Sequence, residues 1–150
     1  MKVYIGSDHA GFKLKSLLLQ KFEEGVFGDY TVENLGTNSD ESCHYPEFAK
    51  VVAEKVQGDK DSLGILVCGS GIGVSMVANR FKSVRAALCR SSKDAEMSRL
   101  HNNSNVICLG ERFHEDFNEA VEIVKTWLST SFEGGRHQGR VDLFDSLGEG

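Results

Sequence analysis

A cysteine, a serine and three glycines stand together in the segment CGSGIG, residues 68–73, and their order suits anion chemistry. The apolar run 63–68 predicts a strand covered on both faces, and 74–79 predicts the start of a helix. Glycines between a strand and a helix let backbone N–H groups approach a bound anion closely. Those N–H groups and the helix dipole favour the thiolate form of Cys68, which suits a base or a nucleophile.

The glycine loop lacks the two common nucleotide-binding signatures. No Gly-Lys pair follows the glycines, as a Walker A loop requires, and Val74 stands where a dinucleotide fingerprint has its third glycine. The loop therefore suits a small anion or an oxyanion. Close packing of strand and helix stays open as the alternative for the glycines, and burial in a core stays open for Cys68.

Apolar periodicity predicts five strands with helices between them. The predicted strands are 2–6, 30–35, 63–68, 85–89 and 105–109. The predicted helices are 12–22, 46–56, 74–79, 91–100 and 116–129, and 136–147 is a candidate for a last helix. This alternation predicts one domain over 1–150, a three-layer, Rossmann-like α/β/α fold with a five-stranded parallel sheet and a helical tail from about 132.

In such a sheet the ligand crevice lies outside the carboxyl ends of the strands. The loops that begin at Ser7, Cys68, Arg90 and Gly110 should therefore share one edge. This predicts one polar cluster made of Asp8, His9, Cys68, Ser70, His101, Asn102 and Arg112. Simpler alternatives stay open: a helix N-cap for Asp8, a helix C-cap for the segment 101–103, and a solvated face for the basic residues at 136–140.

Composition and motif spacing argue against several classes of protein. The net charge of −5 argues against a dedicated nucleic-acid binder, and no apolar run is long enough to span a membrane. Four widely spaced cysteines and no signal-peptide pattern predict reduced thiols in the cytoplasm. No Cys/His set has zinc spacing and no G-x-S-x-G motif is present, so neither a metal site nor a serine hydrolase is predicted.

Five segments together resemble one family. They are GSDHAGFKLK at 6–15, YPEFA at 45–49, CGSGIG at 68–73, HNNSNVICLGER at 101–112 and GGRHQGRV at 134–141. In order and spacing they resemble the ribose-5-phosphate isomerase B family, which also contains the galactose-6-phosphate isomerase subunits. The resemblance covers nearly the whole chain.

The resemblance implies an aldose–ketose isomerase that works through an enediolate with no cofactor and no metal. It implies Cys68 as the proton-abstracting base, because Val74 stands where the family's other branch has a glutamate. It implies that His101 opens the furanose ring, while Ser70 supplies a catalytic hydroxyl where many members have threonine. The implied substrate contacts are Asp8, His9, Gly69, Gly71, Ile72, Gly73, Asn102, Arg112, Arg136 and Arg140.

The resemblance also implies a homodimer or a pair of dimers, with active sites shared across the subunit interface. The tail 132–150 would pack on the partner subunit and bring Arg136 and Arg140 to its site. Ribose 5-phosphate, in the non-oxidative pentose phosphate pathway, is the expected substrate. A six-carbon substrate, galactose 6-phosphate or allose 6-phosphate, stays open, because residues 38–45 could set the pocket size. A silent sugar-phosphate-binding protein and a thiol-redox protein are the remaining alternatives.

Overall fold

Five parallel strands form one sheet at the centre of the fold. The computed structural model describes residues 1–148, so the tail prediction for Glu149 and Gly150 lies outside the described residues. The strands are β1 Lys2–Ser7, β2 Thr31–Asn34, β3 Leu63–Cys68, β4 Ala86–Leu88 and β5 Val106–Gly110, in the order β2-β1-β3-β5-β4. All four pairings are parallel, which confirms the predicted sheet.

Six helices connect and flank the strands. They are α1 Phe12–Glu23, α2 Tyr45–Gly58, α3 Ile72–Ala78, α4 Ser92–Asn102, α5 Phe117–Ser129 and α6 Arg136–Asp142. Short 3-10 turns occupy His9–Gly11, Glu111–Phe113 and Phe144–Ser146. No helix in residues 1–148 is both long and apolar enough to cross a membrane.

Two predicted boundaries are wrong for local reasons. The helix after the glycine loop begins at Ile72, because Gly71 takes a left-handed conformation and turns the chain into α3 at once. The helix predicted over 136–147 ends at Asp142. There the Asp145 carboxylate accepts hydrogen bonds from the backbone N and the hydroxyl of Ser83, at 2.7 and 3.0 Å, and draws the chain into a 3-10 turn.

Side chains alternate across the sheet and build two apolar layers, as the period of two in a strand requires. Ile5, Ile65 and Ile107 lie in the core that packs on α1, α4 and α5. The neighbouring Leu66 and Cys108 lie in the core that packs on α2 and α3. The predicted three-layer α/β/α architecture is therefore confirmed.

The topology places a crevice between β1 and β3. From β1 the chain passes to β2 on one side and later returns to add β3 on the other side, so the strand order reverses there. Ser7 and Val67 pair at the carboxyl ends of these two strands, and Cys68 follows directly. We call this end of the sheet the carboxyl edge and the other end the amino edge.

Candidate active site

Cys68 ends β3 with its thiol turned under the glycine loop. The side chain is 5% exposed, and its Sγ accepts a hydrogen bond from the backbone N–H of Gly71 at 3.1 Å. The N–H of Ile72 is bonded in turn to Oγ of Ser70 at 3.2 Å. Both bonds lie within the loop, so backbone amides of the loop itself hold the sulfur and the Ser70 hydroxyl.

Two glycines make this tight loop sterically feasible. Gly71 has a φ of 78°, and a Cβ atom there would lie 2.6 Å from Cδ1 of Leu88. At Gly110, a Cβ atom would lie 2.5 Å from the carbonyl oxygen of Ser70. The loop is thus pressed onto the end of β5, and larger residues at these two positions would displace it.

The amides at the start of α3 remain available to a ligand. Ser75 donates to the carbonyl of Gly71, and amides earlier in a helix lack partners within the helix. Gly71 and Ile72 already donate inside the loop, whereas the amides of Gly69 and Gly73 take part in neither of these bonds.

The turn after β1 brings Asp8 and His9 to the same edge. Gly11 packs so closely on β3 that a Cβ atom there would lie 2.5 Å from the carbonyl oxygen of Val67. Oδ1 of the buried Asp8 accepts from the N–H of Gly11 at 3.1 Å, so this residue does cap the turn. Its second oxygen has no such bond within the turn. Capping and substrate binding are therefore compatible for Asp8.

His9 and Arg112 complete the carboxyl edge. Nδ1 of His9 accepts from the backbone N–H of Cys43 at 3.2 Å, which fixes the ring and leaves Nε2 free of that contact. The Arg112 guanidinium lies over Gly69, where a Cβ atom would come within 2.8 Å of its Cζ. A guanidinium group thus stands beside Gly69, the residue that follows Cys68. We call Asp8, His9, Cys68, Ser70 and Arg112 the carboxyl-edge group.

Tyr45 is a member of this surface to which the sequence reasoning gave no role of its own. It begins α2, and its ring covers Gly73 so closely that a Cβ atom there would lie 2.5 Å from Cε1 of the ring. The available signal was an aromatic residue directly before Pro46, which occupies the first turn of a helix. Tyr45 therefore covers the glycine loop at Gly73, as Arg112 covers it at Gly69.

His101 and Asn102 do not join this group, and the predicted single cluster is wrong for them. They end α4, which starts after β4 at the carboxyl edge and runs back to the amino edge before β5 begins. Only the start of the segment that follows β4 lies near Cys68. The prediction placed these residues with the loop at Arg90, whereas an eleven-residue helix separates them from it.

The amino edge holds its own polar group. The imidazoles of His101 and His137 stack with ring centroids 4.3 Å apart and an angle of 19° between their planes. Arg136 and Arg140 lie one helical turn apart on α6 and are exposed, as is Asn102. We call His101, Asn102, Arg136 and Arg140 the amino-edge group. It places two exposed guanidinium groups beside an imidazole on the surface.

Hydrogen bonds to buried residues fix the end of α4 in place. Asn103 adopts a left-handed conformation that ends the helix, with a φ of 47°. Nε of Arg99 donates to the carbonyl of Thr130 at 3.1 Å, and Nε1 of Trp127 donates to Oγ of Ser104 at 2.8 Å. These bonds anchor the turn that carries His101 to the end of α5.

One set of side chains at the amino edge has the composition of a metal site. One ligand atom each from His101, Glu133 and His137 lie within 4.8 Å of one another. The two imidazoles are stacked, however, so their in-plane lone pairs run side by side instead of converging on one point. The arrangement fits a ring stack better than tetrahedral zinc.

A cavity of about 600 Å³ also opens at the amino edge. It lies between the end of α3, the start of β4 and the tail, and its lining includes Arg80, Arg85, Asn102 and Phe144. No member of the carboxyl-edge group lines it. The cavity and the Cys68 crevice are therefore separate features.

Two of the remaining thiols, Cys89 and Cys108, are buried as Cys68 is, and Cys108 shares the apolar layer of Cys68. Burial raises the pKa of Cys89 to about 12 and raises the pKa of Cys108 well above its ordinary value. Both lie in the apolar layers and stay protonated at neutral pH. Cys43 is half-buried and supplies the backbone contact to His9, so it bears on the site through its main chain.

A parallel sheet whose strand order reverses between β1 and β3, with a cysteine and a glycine loop at the reversal, defines a doubly wound α/β protein. A sequence model of the ribose/galactose isomerase family matches residues 3–144. The chain belongs to that family.

Individual relatives agree over nearly the full length. The chain is 40% identical over 147 residues to ribose-5-phosphate isomerase B of Escherichia coli (strain K12), covering 97% of this chain and 95% of that protein. A crystal structure of ribose-5-phosphate isomerase B from Mycoplasma genitalium, with bound ribulose-5-phosphate, matches with TM-score 0.90 and 43% identity, covering 97% of this chain and 94% of that one. The Clostridium thermocellum enzyme matches with TM-score 0.91 and 42% identity, covering 97% and 96%.

Proposed function

We propose that this chain interconverts ribose 5-phosphate and ribulose 5-phosphate through an enediolate. The observation that carries the proposal is the Cys68 thiol, fixed by the Gly71 amide at the switch point of the sheet. The bound ribulose-5-phosphate of the Mycoplasma genitalium relative supports the substrate class, since the two chains share one fold and 43% of their residues.

The proposed reaction moves one proton between neighbouring carbons. The Cys68 thiolate removes the proton from C2 of the open-chain aldose, and the electrons form the enediolate. The thiol then returns a proton to C1, which gives the ketose. The backbone amides of the loop from Gly69 to Gly73 would stabilise the negative charge that develops on the carbonyl oxygen, because preorganised donors of this kind stabilise a transition state strongly. Ser70 carries the hydroxyl proton between the two oxygens.

Ring opening needs a second acid–base group, which we assign to His101 of a partner subunit. Within one chain His101 ends α4 at the amino edge, whereas Cys68 ends β3 at the carboxyl edge. A symmetric dimer that presents the amino-edge group of one chain to the carboxyl-edge group of the other would unite them twice, once at each site. Asn102 would then bind substrate hydroxyls from the partner's side.

The phosphate end of the substrate would meet three arginines. Arg112 comes from the same chain as Cys68, and Arg136 and Arg140 come with the partner's α6. In residues 1–148 none of the three forms an ion pair with a carboxylate, so their charge is available to a ligand. The planar guanidinium binds phosphate oxygens in pairs, which fixes the sugar and positions its reacting carbons.

The pathway that uses this reaction is the non-oxidative pentose phosphate pathway. The four unpaired cysteines support a reducing, cytoplasmic setting for this chain.

A coupled isomerase assay on the purified chain tests this function. Ribose 5-phosphate, allose 6-phosphate and galactose 6-phosphate are compared, each with and without a chelator. We expect the pentose phosphate to turn over fastest and the chelator to have no effect. Fastest turnover of a six-carbon substrate would instead identify the chain as a six-carbon aldose-phosphate isomerase of the same family. Binding of all three without turnover would overturn the enzymatic function in favour of a sugar-phosphate-binding protein.

A further inference from the structure

Lys15 is a buried lysine to which the proposed reaction gives no part. It lies on α1 with 1% of its surface exposed, and in residues 1–148 no carboxylate lies within 4.0 Å of its ammonium. Lysine is rarely buried unless it is paired. Burial lowers the pKa of Lys15 to about 8, so the fold carries an unfavourable charge at neutral pH. Contacts of the ammonium must therefore offset the cost of burying it.

The ammonium fastens one short segment of backbone. Its Nζ donates to Oδ1 of Asn34 at 2.7 Å and to the carbonyl oxygen of Thr37 at 2.6 Å. The same Asn34 oxygen accepts from the N–H of Gly36 at 3.0 Å. Lys15 thus binds both ends of the segment 34–37, which links β2 to the loop that leads to α2. We call this set of contacts the Lys15 clasp.

The segment 34–37 is joined on its other side to the end of β1. The N–H of Ser7 donates to the carbonyl of Gly36 at 2.8 Å, and the N–H of Thr37 donates to the carbonyl of Ser7 at 2.8 Å. Asp8 and His9 follow Ser7 directly. The clasp therefore holds the backbone on which the turn of the carboxyl-edge group begins.

Loop 38–44 connects the segment held by Lys15 to Tyr45 at the start of α2. Near its end the N–H of Cys43 donates to Nδ1 of His9 at 3.2 Å. Tyr45 follows the loop at the start of α2 and covers Gly73. Loop 38–44 is thus bonded to His9 near its end and leads directly into Tyr45.

We propose that Lys15 is a positioning residue, whose clasp on segment 34–37 holds the Asp8–His9 turn and loop 38–44 in place at the carboxyl edge. The substrate part of this inference rests on the proposed function, whereas the effect on the loop does not. A neutral amine keeps two N–H donors, so the clasp needs the two hydrogen bonds and not the charge. Lys15 touches no reacting atom and acts through the residues that it holds.

The test replaces Lys15 by methionine, which has similar length and no donor. Lys13→Met on the same helix is the matched control, because Lys13 is exposed. We expect Lys15→Met to speed hydrogen exchange of backbone amides in 34–44 by tenfold or more. We also expect the KM for ribose 5-phosphate to rise about tenfold with kcat changed by less than about threefold, because substrate positioning is lost while Cys68 stays in place. Lys13→Met should change neither quantity.

A second control separates positioning from stability. Leu18 is fully buried in the α1 core, so Leu18→Ala should lower the melting temperature and leave KM unchanged. If Lys15→Met does not fold, Asn34→Ala removes the acceptor from the exposed end of β2 and should give the same loop and KM effects.

Three outcomes would overturn the proposal. They are unchanged exchange in 34–44, faster exchange with an unchanged KM, and an equal KM rise in Leu18→Ala. If wild-type protein turns over no sugar phosphate, the proposed function fails. In that case hydrogen exchange alone tests whether the clasp positions loop 38–44. Unchanged exchange in 34–44 would overturn that structural role as well.

Discussion

Cys68 and His101 lie at opposite edges of one parallel sheet, separated by the length of β5. Cys68 pairs with Gly110, the last residue of β5, whereas His101 ends α4 before Val106, the first residue of β5. A parallel strand of five residues spans roughly 15 Å, which exceeds hydrogen-bonding reach. A site that uses both side chains on one substrate must therefore take them from two chains.

The role of Cys68 predicts a large and selective loss of activity. Cys68→Ala and Cys68→Ser should each lower kcat by about 10³-fold, because general-base catalysis contributes effects of this size. The circular dichroism spectrum should not change. Cys108→Ala is the control, since this buried thiol lies on the neighbouring strand in the same apolar layer. Near-normal turnover by Cys68→Ala would remove Cys68 from the role of the base.

Arg112 should act mainly through the phosphate. Its guanidinium lies on Gly69, beside Cys68, and forms no ion pair with a carboxylate of residues 1–148. Arg112→Ala should raise the KM for ribose 5-phosphate by about tenfold to hundredfold, because a charge-assisted contact to the phosphate is lost. Lys125→Ala removes an exposed cation from α5 and should leave KM as it is. Equal effects of the two variants would point to general electrostatics instead of a phosphate contact.

The glycine loop should not tolerate a side chain at Gly71. Its φ of 78° disfavours other residues, and a Cβ atom would lie 2.6 Å from Leu88. Gly71→Ala should cost about 1–3 kcal/mol of unfolding free energy and most of the activity, as measured by urea denaturation and the coupled assay. Gly58→Ala is the control, because no atom lies within 4 Å of a Cβ placed there. A Gly71→Ala protein with normal stability would contradict the packing described for the loop.

Lys15 should give the protein a distinctive dependence of stability on pH. Burial lowers the pKa of Lys15 to about 8 in the folded chain, against 10.5 for an ordinary lysine. Between these two values the unfolded chain binds more protons, so the contribution of Lys15 to folding becomes more favourable as pH rises. We expect the wild type to gain about 2–3 kcal/mol relative to Lys15→Met between pH 7.5 and 10.5, measured by urea denaturation. Parallel curves for the two proteins would show that Lys15 titrates normally.

The fold was largely predictable because its signals are local. The apolar run 63–68 is buried along its whole length, and Ser91 caps α4 through the N–H of Asp94 at 3.1 Å. The carboxyl-edge group was also predictable, since the residues that directly follow β1 and β3 must lie at one edge. Asp8, His9, Cys68 and Ser70 are such residues.

The amino-edge residues were misplaced because their location depends on helix length and direction. A loop position follows from the end of the preceding strand, whereas His101 lies at the far end of an eleven-residue helix. Lys15 was missed for a related reason. In the sequence it is one of three lysines of α1 that fall outside the apolar stripe, and only the tertiary structure buries it and brings Asn34 and Thr37 to its ammonium.

Mixed dimers test directly whether one subunit's Cys68 works with the partner's His101. Cys68→Ala and His101→Asn chains, carrying different tags, would be co-expressed and the mixed dimer isolated through both tags. Each variant alone should be nearly inactive. The mixed dimer should recover about half of the wild-type kcat, because one of its two sites receives an intact Cys68 and an intact His101. A mixed dimer no more active than the two parents would show that both residues act within one chain, and would contradict an active site shared between two subunits.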